Sequence, residues 1–421
     1  MSAWPVVALG SKVRFLSGGT PRKDEAKYWN GDIPWVGSAE MVQRRIGDTE
    51  LRVTEEGARE GSKLVPANTV LVVVRGMSLA KEFRVAITER ELTFNQDLKA
   101  LKPADDLDPL FLFYYLLSQN SAIRDSASEA AHGTKKLDTP VLEQWPIPLP
   151  PLEVQCRIAA ILSAYDDLIA NNQRRIALLE FMAEEVYREW FVRMRFPGQQ
   201  DGRIEKGVPL GWDLVPTKEA FEFFGGATPS KDVARYWKNG TVNWFTPTDI
   251  TGAAGMFLEG SKEQCSEEGL ESCSARLFPS HSVMLTSRAT IGAIGINLTP
   301  ACTNQGFISC IPNERYPLSF LYHWLKLTKP HFELLAGGST FPELTKGTFK
   351  RLQVLTPPAQ LVALFDRIVS PQFQAIETLL KANERLKATR DALLPRLISG
   401  KLKVDHLDIQ LPPSMREKVT A

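Results

Sequence analysis

The chain repeats itself. Slid against its own sequence by 208 residues, it aligns Trp4 with Trp212 and Trp29 with Trp237 without a gap. Eleven of the 26 paired positions are identical: Trp4, Val7, Phe15, Gly18, Thr20, Pro21, Lys23, Asp24, Ala26, Tyr28 and Trp29. Roughly one or two would arise by chance. The match resumes at a shift of 209, with Trp35 against Trp244 and Asn95-Gln96 against Asn304-Gln305. Near the end of each copy the shift is 207, where Pro150-Pro151 meets Pro357-Pro358. Such a duplication leaves few options: both halves must share a fold, and the chain must join two such folds.

Each copy reads in two parts. The first, residues 1–150 in one copy and 199–356 in the other, holds short β-like runs such as Thr69–Val74, Arg84–Thr88, Ser282–Thr286 and Ile291–Ile296. Turn-rich stretches separate them, Ser17 to Pro21 and Gly225 to Pro229. One apolar helical segment recurs, Pro109–Leu117 and Pro317–Leu325. That mixture predicts an α+β globular domain.

The second part of each copy, residues 151–198 and 357–404, is different. After Pro146–Pro151 the chain carries no proline or glycine until Pro197. Ile158, Leu162, Tyr165, Ile169, Asn172, Ile176, Leu179, Ala183, Val186 and Trp190 alternate at spacings of four and three, a coiled-coil seam. Phe365, Val369, Gln372, Ile376, Leu379, Asn383, Leu386, Arg390, Leu393 and Leu397 repeat it. Pro371 falls inside this second seam, a place for a kink or a late start. Gly400 is a helix stop, and 405–421 reads as a flexible tail. Asn172 and Asn383 are either buried register-setting residues or hydrated ones at the seam edge.

At 1.5 Å per residue, a helix of about 40 residues spans roughly 60 Å. The simplest partner for each long helix is the other. The predicted architecture is therefore α+β, two pseudo-repeat globular domains separated by two long antiparallel coiled-coil helices. One globule stands at each end, related by a pseudo-two-fold axis.

Composition narrows the function. A 43% hydrophobic chain with a formal net charge of +1 has neither signature of disorder. No apolar run approaches the ~20 residues of a membrane span, and Met1 to Pro5 lacks the basic and apolar stretches of a signal peptide. The five cysteines (156, 265, 273, 302 and 310) are odd in number, form no C-x-x-C and have no histidine at ligand spacing. They read as reduced thiols of a cytoplasmic protein, with no disulfide framework and no metal site. Near-neutral charge means that any nucleic-acid role rests on local basic patches.

Two related globules a fixed distance apart suit a bipartite ligand, and duplex DNA presents equivalent groove faces about every 34 Å. At this point the motifs resemble those of a known family. The Gly-Gly-Thr-Pro-x-Lys … Tyr-Trp … Trp block runs from Gly18 to Trp35 and from Gly225/Gly226 to Trp244. An Asn-Gln pair stands late in each globule, and Pro-Leu-Pro-Pro-Leu-Glu-x-Gln opens a long helix at Pro148 to Gln155. With Gly207 to Trp212, these resemble the specificity subunit of type I restriction–modification enzymes over about residues 4–404. The resemblance implies two target recognition domains, each reading half of a split, asymmetric DNA sequence. It implies helices that act as a ruler and dock two methyltransferase subunits, with restriction/translocase subunits joining them. Adenine methylation, ATP hydrolysis and DNA cleavage, with their S-adenosylmethionine, ATP and Mg2+, would belong to those partners. This chain would be non-catalytic and hold no cofactor. A coiled-coil scaffold that does not bind DNA is the alternative.

The candidate DNA-binding residues fall in corresponding places. Thr20, Lys23 and Lys27 match Thr228, Lys231 and Arg235 in loops suited to phosphate contact. Arg75 and Arg288 each follow an apolar strand, placed either to contact guanine or to pair with a buried carboxylate. Lys135 and Lys136, after His132 and Gly133, and Lys346 and Lys350 lie in Gly-Thr loops before the helices. Beyond Arg75 the first copy lacks a counterpart of the Ser287–Gly292 run. Tyr28, Trp29, Trp35 and their partners Tyr236, Trp237 and Trp244 read as core, and the shared Asn-Gln pairs as framework. Residues common to both copies are poor readers of two different half-sites. The divergent loops Val42–Gly47 and Gly252–Gly260 are better places for sequence readout. No Asn/Asp-Pro-Pro-aromatic tetrapeptide, P-loop or paired histidines suggest catalysis.

Overall fold

A computed structural model describes residues 4–129, 134–198, 204–205, 208–337, 342–412 and 415–416. His132, Gly133 and Gly207 lie outside them, as does much of the tail. The described residues fall into two compact units, one within 1–170 and 385–421 and the other within 171–384.

In the first unit a five-stranded sheet runs in the order Val13–Ser17, Leu98–Pro103, Val70–Val73, Val85–Thr88, Arg45–Ile46. Side chains along its strands alternate between its two faces. Val70, Val72, Val85 and Ile87 face the Pro109–Ser118 helix, while Leu71, Val73, Ala86 and Leu98 face a second cluster with Val36 and Phe94. Burial on both faces is why these strands read as unbroken apolar runs. Asp108 caps the helix, its carboxylate accepting from Leu110 N (2.9 Å) and Phe111 N (3.1 Å), and Pro109 takes the first position. A smaller sheet orders Arg52–Val53, Trp29–Val36, Leu92–Phe94 and Leu64–Val65.

The second unit repeats the plan. Its five strands are Phe223–Gly225, Phe307–Cys310, Val283–Thr286, Ile294–Asn297 and Phe257–Leu258, in the same order. The edge strand is parallel to its neighbour in both units, Arg45↔Ile87 and Phe257↔Ile296. The covering helix is longer here, Leu318–Leu335, continuing through Pro330. In each globule a strand near its start pairs with the last, Val6–Ala8 with Pro146–Pro148 and Asp213–Pro216 with Gln353–Thr356. Each domain thus closes on itself just before its long helix.

The two seams produce α1 (Leu152–Tyr187) and α2 (Ala359–Ile398). Gln155, fully buried, fastens the start of α1: its amide donates to Pro150 O (2.8 Å) and Asp106 O (2.9 Å) and accepts from Asp108 N (2.8 Å). Within the second unit the helices run antiparallel, Asn172 meeting Asn383 and Tyr187 meeting Phe365. The asparagines are buried, and Asn172 Nδ2 donates to Asn383 Oδ1 at 2.9 Å. Neither merely hydrates. Within the first unit the buried seam cation Arg390 is neutralised by Asp166, which also accepts from the Tyr114 hydroxyl at 2.7 Å. Desolvation, reinforced by Asp166, drives the Tyr114 pKa upward and keeps the phenol protonated. Pro371 does not interrupt α2, because the carbonyl it leaves without a helical donor, on Arg367, sits at an exposed position. Gly400, at φ +73°, ends α2 in the left-handed conformation, with Leu402 N donating to Arg396 O (3.0 Å). Beyond it Val404 and Met415 are buried, and Arg157 donates to Leu407 O at 2.9 Å.

Two predictions follow from this packing. Asn383→Leu alone strands a buried amide and costs about 1–3 kcal/mol in denaturant unfolding. Asn172→Leu added to it restores most of that loss; a double variant no more stable than the single would show that the amides are not partners. The second concerns His323, buried among Tyr187, Phe365 and Phe373 with Nδ1 donating to Ser319 O at 2.6 Å. Burial pulls its pKa down from 6.5 to about 4. The unfolded chain therefore takes up the proton first, so stability is present above pH 6.5 and is lost as pH falls towards 4, by roughly 3 kcal/mol. His323→Gln flattens that part of the stability profile; parallel profiles for the two proteins would contradict the assignment.

Candidate nucleic-acid interface

The strand directions gather several loops at one end of each five-stranded sheet. In the first unit Val13–Ser17 and Val70–Val73 end there, and Leu98–Pro103 and Val85–Thr88 begin there. The Gly18-Gly19-Thr20-Pro21 loop crosses this end against the Asn95-Gln96 turn. A Cβ on Gly18 would lie 2.3 Å from Phe94 O and 2.4 Å from Asn95 O, so only glycine fits. Gly19 N donates to Phe94 O (2.9 Å), the Thr20 hydroxyl to Gln96 Oε1 (2.6 Å), and Asp97 N to Asn95 Oδ1 (3.0 Å). Trp35 Nε1 donates to Gly19 O and Trp29 Nε1 to Arg22 O, both at 3.0 Å, with the rings edge-on.

Every one of these contacts recurs in the second unit. A Cβ on Gly226 would fall 2.0 Å from Asn304 O; Thr228 donates to Gln305 Oε1 (2.7 Å) and Gly306 N to Asn304 Oδ1 (2.9 Å). Trp244 and Trp237 donate to Ala227 O (2.9 Å) and Ser230 O (3.0 Å). The tryptophans and the Asn-Gln pairs thus hold the loop, and the threonines are tied to the glutamines.

The cations divide into held and unheld. Lys27 pairs with Glu56 (2.6 Å) and Arg235 with Glu268 (2.7 Å). The hydrogen bond to Glu56 raises the Lys27 pKa, and the charge of Glu268 raises that of Arg235. Lys231 pairs with Glu263 (2.6 Å) and lies 3.4 Å above the Trp237 ring. Arg288 pairs with Glu343 (2.8 Å) and Lys136 with Asp138 (2.5 Å). Lys23 and Arg75 are exposed and, with Lys135, Lys346 and Lys350, make no ion pair among the described residues.

Backbone bonds bring part of the set together. Val74 N donates to Asp97 O and Leu137 N to Val74 O, which seats Arg75 and the Lys135–Lys136 strand beside the Thr20–Gln96 link. In the second unit Arg288 stands likewise beside Gln305–Gly306, and the Lys346 side chain crosses Gly225, whose Cβ would meet Lys346 Cε at 1.9 Å. Lys27 and Arg235 instead face the short helices Glu55–Gly61 and Glu267–Glu271. Val42 is exposed. The Gly252–Gly260 loop lies against α2, lining with Leu380 and Lys381 a cavity of about 380 Å³.

Which acidic residues hold these cations was not foreseen from sequence, although a signal for two existed. Thr54-Glu55-Glu56-Gly57 and Ser266-Glu267-Glu268-Gly269 are one motif. In each, the hydroxyl caps the helix by accepting from the glycine N–H at 3.1 Å, and the glycine packs under Tyr28 or Tyr236. Among the described residues no helix is long and apolar enough to cross a membrane.

Known proteins share this duplicated frame. The model of the type I restriction modification DNA specificity domain matches residues 1–180 and again residues 209–378. The chain is 26% identical to the type I restriction enzyme MjaIX specificity subunit of Methanocaldococcus jannaschii, over 96% of this chain and 94% of that one. It is 24% identical to the HindI specificity subunit of Haemophilus influenzae, over 96% and 100% of the two chains. The crystal structure of the S subunit of a type I restriction–modification system from M. genitalium has the same fold, with a TM-score of 0.61 at 17% identity, covering 94% of this chain and 96% of that one. With the family's domain present twice and matching most of its length, the chain belongs to the specificity subunits of type I restriction–modification systems.

Proposed function

We propose that this subunit binds a bipartite, asymmetric DNA sequence, one half with each globule, and places methyltransferase subunits on the two halves. The observation that carries the reading is the sheet end built twice from the same contacts, Gly18 against Asn95 and Thr20 on Gln96, Gly226 against Asn304 and Thr228 on Gln305, with different residues around each. A common frame sets the docking position, and unlike surroundings give each half-site its own reader. Lysine and arginine at that end supply affinity to phosphate in a chain whose net charge alone would supply none.

In this reading α1 and α2 carry the two methyltransferase subunits, and restriction/translocase subunits complete the complex. The chemistry, with S-adenosylmethionine, ATP and Mg2+, lies in those partners, and this chain acts in the cytoplasm without a catalytic residue or cofactor of its own.

The test is to co-express the chain with the methyltransferase subunit encoded beside it, supply S-adenosylmethionine and plasmid DNA, and map modified adenines by single-molecule sequencing. Methylation confined to one split motif with a fixed gap is the expected result. An active complex that methylates without a split motif, or that assembles without this chain, would favour a scaffold that does not bind DNA.

A further inference from the structure

The two sheet ends share a backbone but not a charge arrangement, and the register shows which residues correspond. Leu137 N donates to Val74 O in the first unit, and Leu344 N to Ser287 O in the second. Arg75 therefore corresponds to Arg288, and the residue across from it is Lys136 in one unit and Glu343 in the other. In the first unit Lys136 pairs with Asp138 (2.5 Å) and Arg75 has no ion pair among the described residues, while in the second Glu343 holds Arg288 at 2.8 Å. A second position departs in the same sense. Trp244 is registered with Glu263, which holds Lys231, whereas Trp35 N donates to Leu51 O, and the corresponding Lys23 has no ion pair among the described residues.

An exposed arginine with no carboxylate partner can take a phosphate directly in a charge-assisted contact. An arginine already paired with a carboxylate must exchange that partner before it binds a phosphate. We propose that the two globules hold DNA unequally: Arg75 forms a standing phosphate contact in the first, while in the second Glu343 competes with DNA for Arg288. Glu343 is then the residue that sets how much the second half-site contributes to affinity. Lys346, which reaches across Gly225, leaves the second globule a phosphate contact outside this competition. The inference deepens the DNA-recognition reading and rests on it.

The test uses the full chain co-purified with its methyltransferase partner and a duplex bearing the mapped split motif, with affinity measured across a salt series. Arg75→Ala should lower affinity about tenfold and reduce the log–log salt slope by about 0.9. Arg288→Ala should change affinity by less than about twofold, because the arginine it removes is already neutralised. Glu343→Gln frees Arg288 and should raise both affinity and slope, a gain that Arg288→Ala added to it removes. Lys136→Glu installs the second unit's clamp in the first and should reproduce the loss of Arg75→Ala. Equal losses from Arg75→Ala and Arg288→Ala, or a Glu343→Gln variant with unchanged slope, overturn the proposal while leaving DNA recognition intact. A wild-type complex with no salt-dependent duplex binding sinks the DNA-recognition reading and the inference with it.

Discussion

Glycine at two positions lets a loop pass over the end of a sheet closer than any side chain would allow. Gly226 has backbone oxygens 2.0 and 2.1 Å from where its Cβ would be, and Gly18 has them at 2.3 and 2.4 Å. That approach lets Gly19 N and Ala227 N bond the strand beneath, and it brings each threonine to its glutamine. Trp35 and Trp244 close the loop from the other side by donating to its carbonyls. The arginine after the central strand and the residue across from it take their positions from the same turn, because Val74 and Ser287 bond to it. Lose the glycine and the whole sheet end must move.

The shared frame explains how duplication and divergence coexist. The side chains that build the sheet end, the threonines, tryptophans and Asn-Gln pairs, are identical in the two copies, so their loss would disturb either unit. Charge at the surface is free of that constraint: Leu51 against Glu263, and Lys136 against Glu343, change what the end presents without changing its backbone. The pairing of an early strand with the last in each globule has a related effect. A domain that closes on itself at the foot of a long helix is replaceable as a block.

Much of this was legible in the sequence, and the physical reason differs by feature. The repeat, the apolar strands and the two seams are local or periodic patterns, and Ile158, Ile176, Phe365 and Ile376 are buried as their spacing demands. Gly400 stops its helix as a left-handed cap must. Long-range partnerships were not legible. Asn172 finds Asn383 across 211 residues, and Lys231 finds Glu263 across 32, because packing, not neighbouring sequence, brings them together. The two arginines show the limit best. Sequence left each of them between guanine and a buried carboxylate, and the structure gives Arg288 a carboxylate that is only partly buried and Arg75 none among the described residues. The Gly252–Gly260 loop, divergent and so attractive as a reader, lies against α2 beside Leu380.

The central claim is that each globule reads its own half of a split target. It is tested most directly by exchanging the two globules at their closing strand pairs, 6–148 for 213–356, and mapping methylation again. The account predicts that the two half-motifs trade places while the gap between them stays fixed. A motif left in its original order, or one whose two halves change together when a single globule is replaced, would contradict it.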